Sequence, residues 1–169
     1  MKYIFAIFII ISTLCGCTVL KNTKSEKIEL RVLNYGRSSA KLLYTKKDNN
    51  MPSGNKRTTD YELTILEHTD TIKLIKDVQF GIEYVIESPT TKPITLTTVW
   101  TFPTTMINDL GKKYDMIKYD IEKYTNQYTY SNYTLEADYE MIPGKWNVKI
   151  FNKDKMLLDK DFYLIEVKK

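Results

Sequence analysis

The sequence predicts an all-β fold, an antiparallel β-sandwich of about seven strands. Apolar and polar residues alternate with a period of two along several short segments, which is typical of strands that bury one face. Glycine, proline, asparagine and aspartate lie between those segments, and these residues favour turns. Together the alternation and the turn residues favour two stacked sheets.

The alternation assigns an inward face to each predicted strand. In chain order, these faces are Ile28, Leu30 and Val32; Tyr61, Leu63 and Ile65; Phe80, Ile82, Tyr84 and Ile86; Ile94, Leu96, Thr98, Trp100 and Phe102; Trp146, Val148 and Ile150; and Phe162, Leu164 and Val167. The third face is the clearest, because Glu83 and Glu87 lie on its opposite side.

The structure of two further segments can also be predicted from the sequence. Residues 46–60 are polar and contain Pro52 and Gly54, so we expect a surface loop between strands. Residues 114–124 fit both a helical stripe and a strand face, and we favour a strand because a sheet needs neighbours. Since the Cys-Trp-Cys hallmark of antibody domains is missing, the predicted sandwich is immunoglobulin-like in architecture only.

The N-terminal segment predicts export and lipidation. An uncharged, apolar run follows Lys2, and the residues Leu14, Cys15 and Gly16 before Cys17 resemble the lipobox of bacterial lipoproteins. We therefore expect a lipoprotein signal peptide at residues 1–16, a lipidated tether at 17–26 that begins with acylated Cys17, and a single β-sandwich domain at 27–169. An uncleaved membrane anchor and an ordinary secretory signal remain alternatives.

The expected location is the cell envelope. Thr18 follows the predicted lipidation site, where aspartate commonly marks inner-membrane retention in Gram-negative lipoproteins. The threonine therefore favours the outer membrane, with the domain facing the periplasm. The expected partners are the membrane itself, through the lipid anchor, and an envelope protein.

Composition argues against several classes of function. The chain has 25 Lys and Arg against 21 Asp and Glu, for a formal net charge of +4, and these charges are interspersed. Nucleic-acid binding is not expected, because it needs a basic stripe with exposed aromatic residues. His68 is the only histidine, so we expect no catalytic residue, metal site or cofactor, and a small-molecule substrate is not expected.

The second half of the sequence resembles the domain of unknown function 3859 family. One signature is a Phe-Gly-apolar strand, and the other is an aromatic-Glu-apolar-apolar-Pro-Gly-x-Trp turn, with Tyr139 where tryptophan is common. The residues that carry these signatures are Phe80, Gly81, Glu140, Pro143, Gly144 and Trp146. The resemblance implies a small exported β-sandwich and no established activity.

The turn signature itself predicts a structural corner. Gly144 can adopt a positive φ in a turn, and Trp146 then enters the next strand facing the core. Glu140 is expected to accept hydrogen bonds from turn amides. Glu136, Asp138 and Glu140 are expected on one strand face, where pairing with cations of a neighbouring strand is favoured over a calcium site.

Tyrosines concentrate in residues 114–133 and give the best candidate binding surface. Tyrosine offers a broad contact area and a polar group at low entropic cost, which suits contact with a protein or a glycan. Tyrosine is also a favoured strand residue, so part of this set is expected to be buried. The candidate binding residues are Tyr119, Tyr124, Tyr128 and Tyr130.

These observations favour a non-enzymatic, lipid-anchored envelope module that binds another protein or has a structural role. One alternative is a periplasmic inhibitor or immunity-type lipoprotein. A less favoured alternative is a hydrolase that uses the carboxylates of Glu136, Asp138 or Glu140.

Overall fold

The computed structural model describes residues 27–59 and 63–167. The predicted signal peptide, the lipidation site at Cys17, the tether and Tyr61 lie outside the described residues.

Strands dominate the described part of the chain. In order they are β1 (Glu29–Ser39), β2 (Leu42–Lys47), β3 (Asn55–Thr59), β4 (Thr64–His68), β5 (Thr71–Lys73), β6 (Gln79–Glu87), β7 (Pro93–Ile107), β8 (Lys113–Tyr124), β9 (Tyr128–Thr134), β10 (Gly144–Asn152) and β11 (Lys155–Ile165). A single 3₁₀ turn, Asp138–Glu140, is described between β9 and β10.

Nine of these strands form the two sheets of the sandwich. The first sheet, which we call sheet I, has the order β4-β1-β6-β9, and sheet II has the order β5-β11-β10-β7-β8. The pairs are antiparallel except for the short β5, which runs parallel to β11. β8 and β9 follow each other in the chain and lie at the edges of different sheets, so the turn between them joins the sheets on one side.

The core between the sheets is aromatic at its centre. Phe80 of β6 lies 5.7 Å from Trp100, 6.0 Å from Trp146 and 5.2 Å from Phe162, measured between ring centroids. All four rings are almost fully buried. Edge-to-face contacts of this kind add about 0.5–1.5 kcal/mol per pair to the stability that comes from area burial.

Most of the predicted inward faces are confirmed. The inward residues of β6 are 0–1% exposed, and those of β10 are fully buried. The strand over residues 114–124 is also confirmed, with Ile117, Tyr119 and Ile121 turned inward. These residues form a strand because their backbone pairs with β7 over a long register, and a helix could not make those pairs.

Three expectations about the fold need correction. Of the loop expected at residues 46–60, only 48–54 lie in a turn, because β2 and β3 pair on either side of them as a two-stranded ribbon. Val32 is 37% exposed, since the register with β6 shifts between Val32 and Asn34 and turns its side chain outward. Val167 is 49% exposed because β11 ends at Ile165, before Val167 reaches the core. The described residues also form more strands than expected, because the alternation did not predict β2, β3, β5 or β9.

Candidate functional site

Two side chains, Glu140 and Trp146, bond to the backbone of the segment that leads into the Pro143-Gly144 turn. The indole N–H of Trp146 donates to the carbonyl of Ile142 over 2.9 Å. The carboxylate of Glu140 accepts from the backbone N–H of Glu136 at 2.6 Å and of Ala137 at 2.9 Å. The second oxygen of Glu140 accepts from the Tyr133 hydroxyl at 2.8 Å. The expected hydrogen bonds to Glu140 therefore come from amides that precede it in the chain.

The remaining signature residues serve the packing of the two sheets. Phe80 is the centre of the aromatic core, and Gly81 lies where β6 meets β9. Gly144 has a φ of +122°, and a β-carbon there would come within 2.9 Å of Pro103. Pro143 is exposed at the end of the corner. The geometry gives these residues structural roles.

The predicted carboxylate face on a strand was wrong. Asp138 to Glu140 form a 3₁₀ turn, so Glu136, Asp138 and Glu140 do not alternate along a strand. Glu140 is 3% exposed, whereas the carboxylate of Asp138 is fully solvated beside Lys76. The buried carboxylate of Glu140 drives this local structure, because it needs the hydrogen bonds that a tight turn of amides supplies.

A cleft opens between the sheets along the side that β8 and β9 form. Tyr133 of β9 packs on Trp100 at 5.7 Å and on Trp146 at 5.0 Å, so β9 lies over β7 and β10. β8 lies beyond β7 at the edge of sheet II, and its Lys123 lies over the ring of Tyr130 on β9. The resulting space has a volume of about 550 Å³, and we call it the edge cleft. The β2–β3 ribbon forms part of its rim through Leu43, Tyr44 and residues 51–53.

The edge cleft brings all four candidate tyrosines together. Tyr119, Tyr124, Tyr128 and Tyr130 line it, from both β8 and β9. Tyr124 and Tyr128 are 48% and 45% exposed at its mouth. Tyr119 points inward from β8, and Lys123 lies over the ring of Tyr130 at 5.2 Å. Only some of the four candidate tyrosines are therefore exposed to a partner.

The floor of the edge cleft contains buried polar groups that sequence reasoning missed. The indole nitrogen of Trp100 and the hydroxyls of Thr129 and Ser131 make no hydrogen bond of normal geometry with the described residues. All three side chains also line the edge cleft and are at most 5% exposed. The alternation of β9 places Thr129 and Ser131 inward, and the tertiary structure brings them beside the phenols of Tyr84 and Tyr119.

The tyrosines inside the edge cleft are uncharged, whereas Glu136 and the buried Glu140 also line it. Burial raises the pKa of the Tyr119 phenol, while the nearby Ser131, Trp100 and Thr98 oppose this shift. Burial also raises the pKa of Tyr84, with a smaller contribution from Tyr119. Both phenols therefore stay protonated at neutral pH, and the floor offers uncharged donors and acceptors.

One end of the edge cleft is fixed by the turn between β8 and β9. The hydroxyl of buried Thr125 donates to the Thr90 carbonyl at 2.7 Å and accepts from the Lys92 amide at 2.9 Å. The side chain of Asn126 exchanges two hydrogen bonds with the backbone of Ser88. The turn is thus bound to the connection between β6 and β7, which holds the two edge strands apart.

Other candidate chemistry is sparse in the described part of the chain. The Nδ1 atom of His68 lies 2.7 Å from the side-chain oxygen of Asn34, and its ring packs on Tyr35. The described residues contain no group of three or more metal-ligating side chains. They also contain no helix with the length and apolar character needed to cross a membrane.

Tyrosines whose hydroxyl groups are buried make stability sensitive to alkaline pH. Burial raises the pKa values of Tyr84, Tyr119 and Tyr133, and the carboxylate of Glu140 raises that of Tyr133 further. Below pH 10 these phenols are protonated in both the folded and the unfolded chain, and their contribution is complete. Above pH 10 the unfolded chain releases its protons first, so we expect stability to fall by about 1.4 kcal/mol per pH unit for each tyrosine.

Urea unfolding between pH 8 and pH 11.5 measures this loss. A Tyr133→Phe variant removes one titrating group. Its free energy of unfolding should therefore fall less steeply with pH, by about 1.4 kcal/mol per pH unit. Equal slopes for the two proteins would contradict the assigned burial of Tyr133.

The corner and the Phe-Gly strand lie within the part of the sequence that matches a family model. The match covers residues 26–164, and the family is described as a domain of unknown function, DUF3859. The chain belongs to the DUF3859 family. Its membership confirms the resemblance seen in the sequence, and the family description names no activity. The curated proteins include no significant match to the sequence.

Solved structures confirm the sandwich architecture of this DUF3859 domain. An immunoglobulin-like protein from Pseudomonas aeruginosa has a TM-score of 0.57 and 16% sequence identity to it. The likeness covers 82% of this chain and 97% of that chain. The predicted antiparallel immunoglobulin-like fold is therefore confirmed, and at this identity the likeness concerns the fold alone.

Two further structures are similar only in part. A DNA glycosylase from Pseudomonas fluorescens, bound to DNA, has a TM-score of 0.37 and 11% identity, over 56% of this chain and 27% of that chain. A β-glucosidase from Listeria innocua has a TM-score of 0.39 and 8% identity, over 83% of this chain and 16% of that chain. The DUF3859 chain thus spans only a fraction of either enzyme, and neither likeness bears on its function.

Proposed function

We propose that this DUF3859 protein is a lipid-anchored module of the cell envelope that binds another envelope protein through the edge cleft. The observation that carries the proposal is the cleft itself, an open side of the sandwich where tyrosines from two edge strands meet. The proposed role is non-enzymatic, with no cofactor.

The mouth of the edge cleft has the composition of a protein interface. Leu43 and Tyr44 of the ribbon are 48% and 60% exposed, and they share the cleft with exposed Tyr124 and Tyr128. A cluster of exposed apolar and aromatic side chains on a soluble domain commonly marks a site of protein contact. Tyrosines at the centre of such a patch are frequent hot spots of binding energy.

The proposed location depends on the N-terminal sequence. Leu14 and Gly16 before Cys17 support cleavage and acylation at Cys17, followed by insertion in the outer membrane. Two or three acyl chains contribute about 0.8 kcal/mol for each buried methylene, which is enough for stable anchoring. The polar tether would then let the domain reach a partner in the periplasm.

One experiment tests anchor and surface together. The full-length chain with a C-terminal affinity tag is expressed in its native host, crosslinked in the envelope and purified from the membrane fraction. We expect the mass of an acylated chain that begins at Cys17, and release from the membrane in a Cys17→Ser variant. We also expect Tyr124→Ser to lower the amount of crosslinked partner about fivefold or more.

Tyr163→Ser is the matched control. Tyr163 is 45% exposed on β11, outside the edge cleft, so its loss should leave partner capture unchanged. Equal capture by the Tyr124→Ser and Tyr163→Ser variants would show that the edge cleft is not the binding surface. An unprocessed N-terminus in the membrane fraction would show that the proposed anchor is wrong.

A further inference from the structure

We infer that the sandwich has a second ligand site, which binds a carboxylate group on the side opposite the edge cleft. β4, β1 and β11 lie towards that side, whereas β8 and β9 border the edge cleft. The second site is centred on the ammonium group of Lys160, and we call it the lysine site. It consists of Asn34, Tyr35, His68 and Lys160. None of these residues lines the edge cleft, so the two sites are independent.

Lys160 places a positive charge between the two sheets. Its cross-strand partner on β10 is Val148, which is fully buried, and cross-strand partners project from the same face of a sheet. The side chain of Lys160 is therefore half-buried on the inward face of β11. Its Nζ atom lies 3.7 Å from the centroid of the Tyr35 ring and 5.7 Å from that of Phe162. Both rings attract the cation, but neither offers a lone pair to its N–H donors.

Lys160 differs from the lysines and arginines of β1 and β10, which pair with acidic side chains. Those ion pairs are Arg31–Glu87, Arg37–Glu67, Lys145–Asp161 and Lys149–Asp159. Within residues 27–59 and 63–167, no carboxylate pairs with Lys160. Its burial removes hydration that nothing charged replaces. A carboxylate ligand supplies both the opposite charge and strong hydrogen-bond acceptors.

The aromatic ring beside Lys160 is held in a fixed position. The His68 ring packs on the Tyr35 ring with 4.1 Å between the centroids. The Oδ1 atom of Asn34 accepts from the backbone N–H of Tyr35 at 3.0 Å and lies 2.7 Å from Nδ1 of His68. Because that oxygen can only accept, Nδ1 carries a proton and donates it to the hydrogen bond. The imidazole is thereby fixed against Tyr35, which orients the ring that Lys160 contacts.

Two irregularities of β1 allow His68 to reach this position. The pairing of β1 with β6 shifts register between Val32 and Asn34, and a bulge of this kind re-aims the side chains that follow it. Gly36 has a φ of +135°, and a β-carbon there would clash with the carbonyl oxygen of Glu67. Only glycine therefore lets the end of β4 come this close to β1. The lysine site thus depends on specific local structure.

The lysine site is open at the edge of the sandwich. β5 pairs with β11 only at residues 163–165, and β4 pairs with β1 only at residues 36–39. Neither pairing reaches Lys160 or Tyr35, so a ligand can approach the ammonium from the edge. The single permanent charge on Lys160 balances the charge of one carboxylate, whereas a phosphate group carries about twice that charge.

The test uses the imidazole of His68 as a reporter, because it is the only histidine in the sequence. The full-length chain is labelled with ¹⁵N, purified in detergent micelles through a histidine-free tag, and titrated at neutral pH and constant ionic strength. One titration uses an acetylated and amidated pentapeptide with glutamate between two pairs of alanines, and another uses sodium propionate. We expect the imidazole ¹⁵N signals to shift and to saturate.

The two titrations distinguish the sources of the carboxylate. A saturable shift with the peptide alone assigns the site to an acidic segment of a protein, and one with propionate alone assigns it to a small acid. A response to both shows that the carboxylate group itself is recognised. If neither probe shifts the imidazole signals, the inference is wrong.

Two further probes test the charge of the ligand on the unaltered protein. The same pentapeptide with glutamine in place of glutamate should cause no shift, and inorganic phosphate should bind more weakly than the carboxylate probe. An equal response to the glutamine peptide would exclude a role for the negative charge. Tighter binding of phosphate would overturn the assignment to a carboxylate. Because these probes need no variant, they decide the question even if a substitution at Lys160 impairs folding.

Matched variants locate the contact. Lys160→Met keeps an apolar stem over the core and removes the ammonium, so it should weaken binding about tenfold or more, the usual effect of a lost hydrogen bond to a charged group. Lys160→Arg should restore most of the affinity. Lys112→Met is the control, since Lys112 also lies over a tyrosine ring, that of Tyr114, at 4.8 Å. Unchanged binding by Lys160→Met would mean that this lysine only covers the core.

Discussion

Replacement of Trp146 by alanine should destabilise the domain by about 3–5 kcal/mol. Trp146 is fully buried and contacts the rings of Phe80, Phe102 and Tyr133. The variant loses this packing and also leaves the carbonyl of Ile142 without its indole donor. Since a domain of this size has a total stability of about 5–15 kcal/mol, the variant should lie close to unfolding. Urea unfolding monitored by circular dichroism measures the change.

A Trp146→Phe variant separates the two losses. It keeps an aromatic ring in the core and removes the hydrogen bond, so we expect it to cost about half as much as the alanine variant. A loss below about 1 kcal/mol for Trp146→Ala would contradict the central place of this ring in the core.

Replacement of Gly81 by alanine should have a comparable effect for a different reason. A β-carbon on Gly81 would come within 2.2 Å of the carbonyl oxygen of Ser131 and 2.6 Å of the Cα atom of Asn132. Both atoms belong to the backbone of β9, so the added methyl group can fit only if β9 moves away from β6. We expect a loss of about 3 kcal/mol or more in urea unfolding.

Gly111→Ala is the control for this variant. Gly111 has a φ of +76°, and a β-carbon there meets no atom within 4 Å. Its replacement should cost only the strain of the backbone conformation, about 1–2 kcal/mol. An equal loss at Gly81 and Gly111 would show that the contact of β6 with β9 is looser than described. Because β9 carries Ser131, Gly81→Ala should also impair the edge cleft.

Local patterns in the sequence were sufficient to predict several strands. Along one strand, Phe80, Ile82, Tyr84 and Ile86 alternate with a face that carries Glu83 and Glu87, and this pattern correctly places all four in the core. The ribbon of β2 and β3 was missed because its sequence has no such local signal. The sequence of residues 46–60 is polar and rich in turn residues, and nothing in it reports that two short strands pair with each other.

The roles of individual side chains depended more on distant contacts. Glu140 was expected to accept hydrogen bonds from amides of the Pro-Gly turn, but its donors are the upstream amides of Glu136 and Ala137, and the strand assigned to it is a 3₁₀ turn. Tyr133, whose hydroxyl donates to Glu140, lies on β9, and no spacing in the sequence predicts that pairing. The binding roles of Tyr119, Tyr124, Tyr128 and Tyr130 remain predictions.

By itself, the sequence determined an antiparallel sandwich with an aromatic core, because period-two burial is encoded in each strand separately. It also determined the Pro-Gly corner and the membership of the DUF3859 family, which both depend on short contiguous signatures. Only the tertiary structure decided that β9 lies over β7 and β10, that β8 and β9 form the two edges of the cleft, and that Trp100, Thr129 and Ser131 line it. The physical reason is that a cleft between two sheets depends on how many strands each sheet contains and how the sheets stack, and no single segment of the chain carries that information.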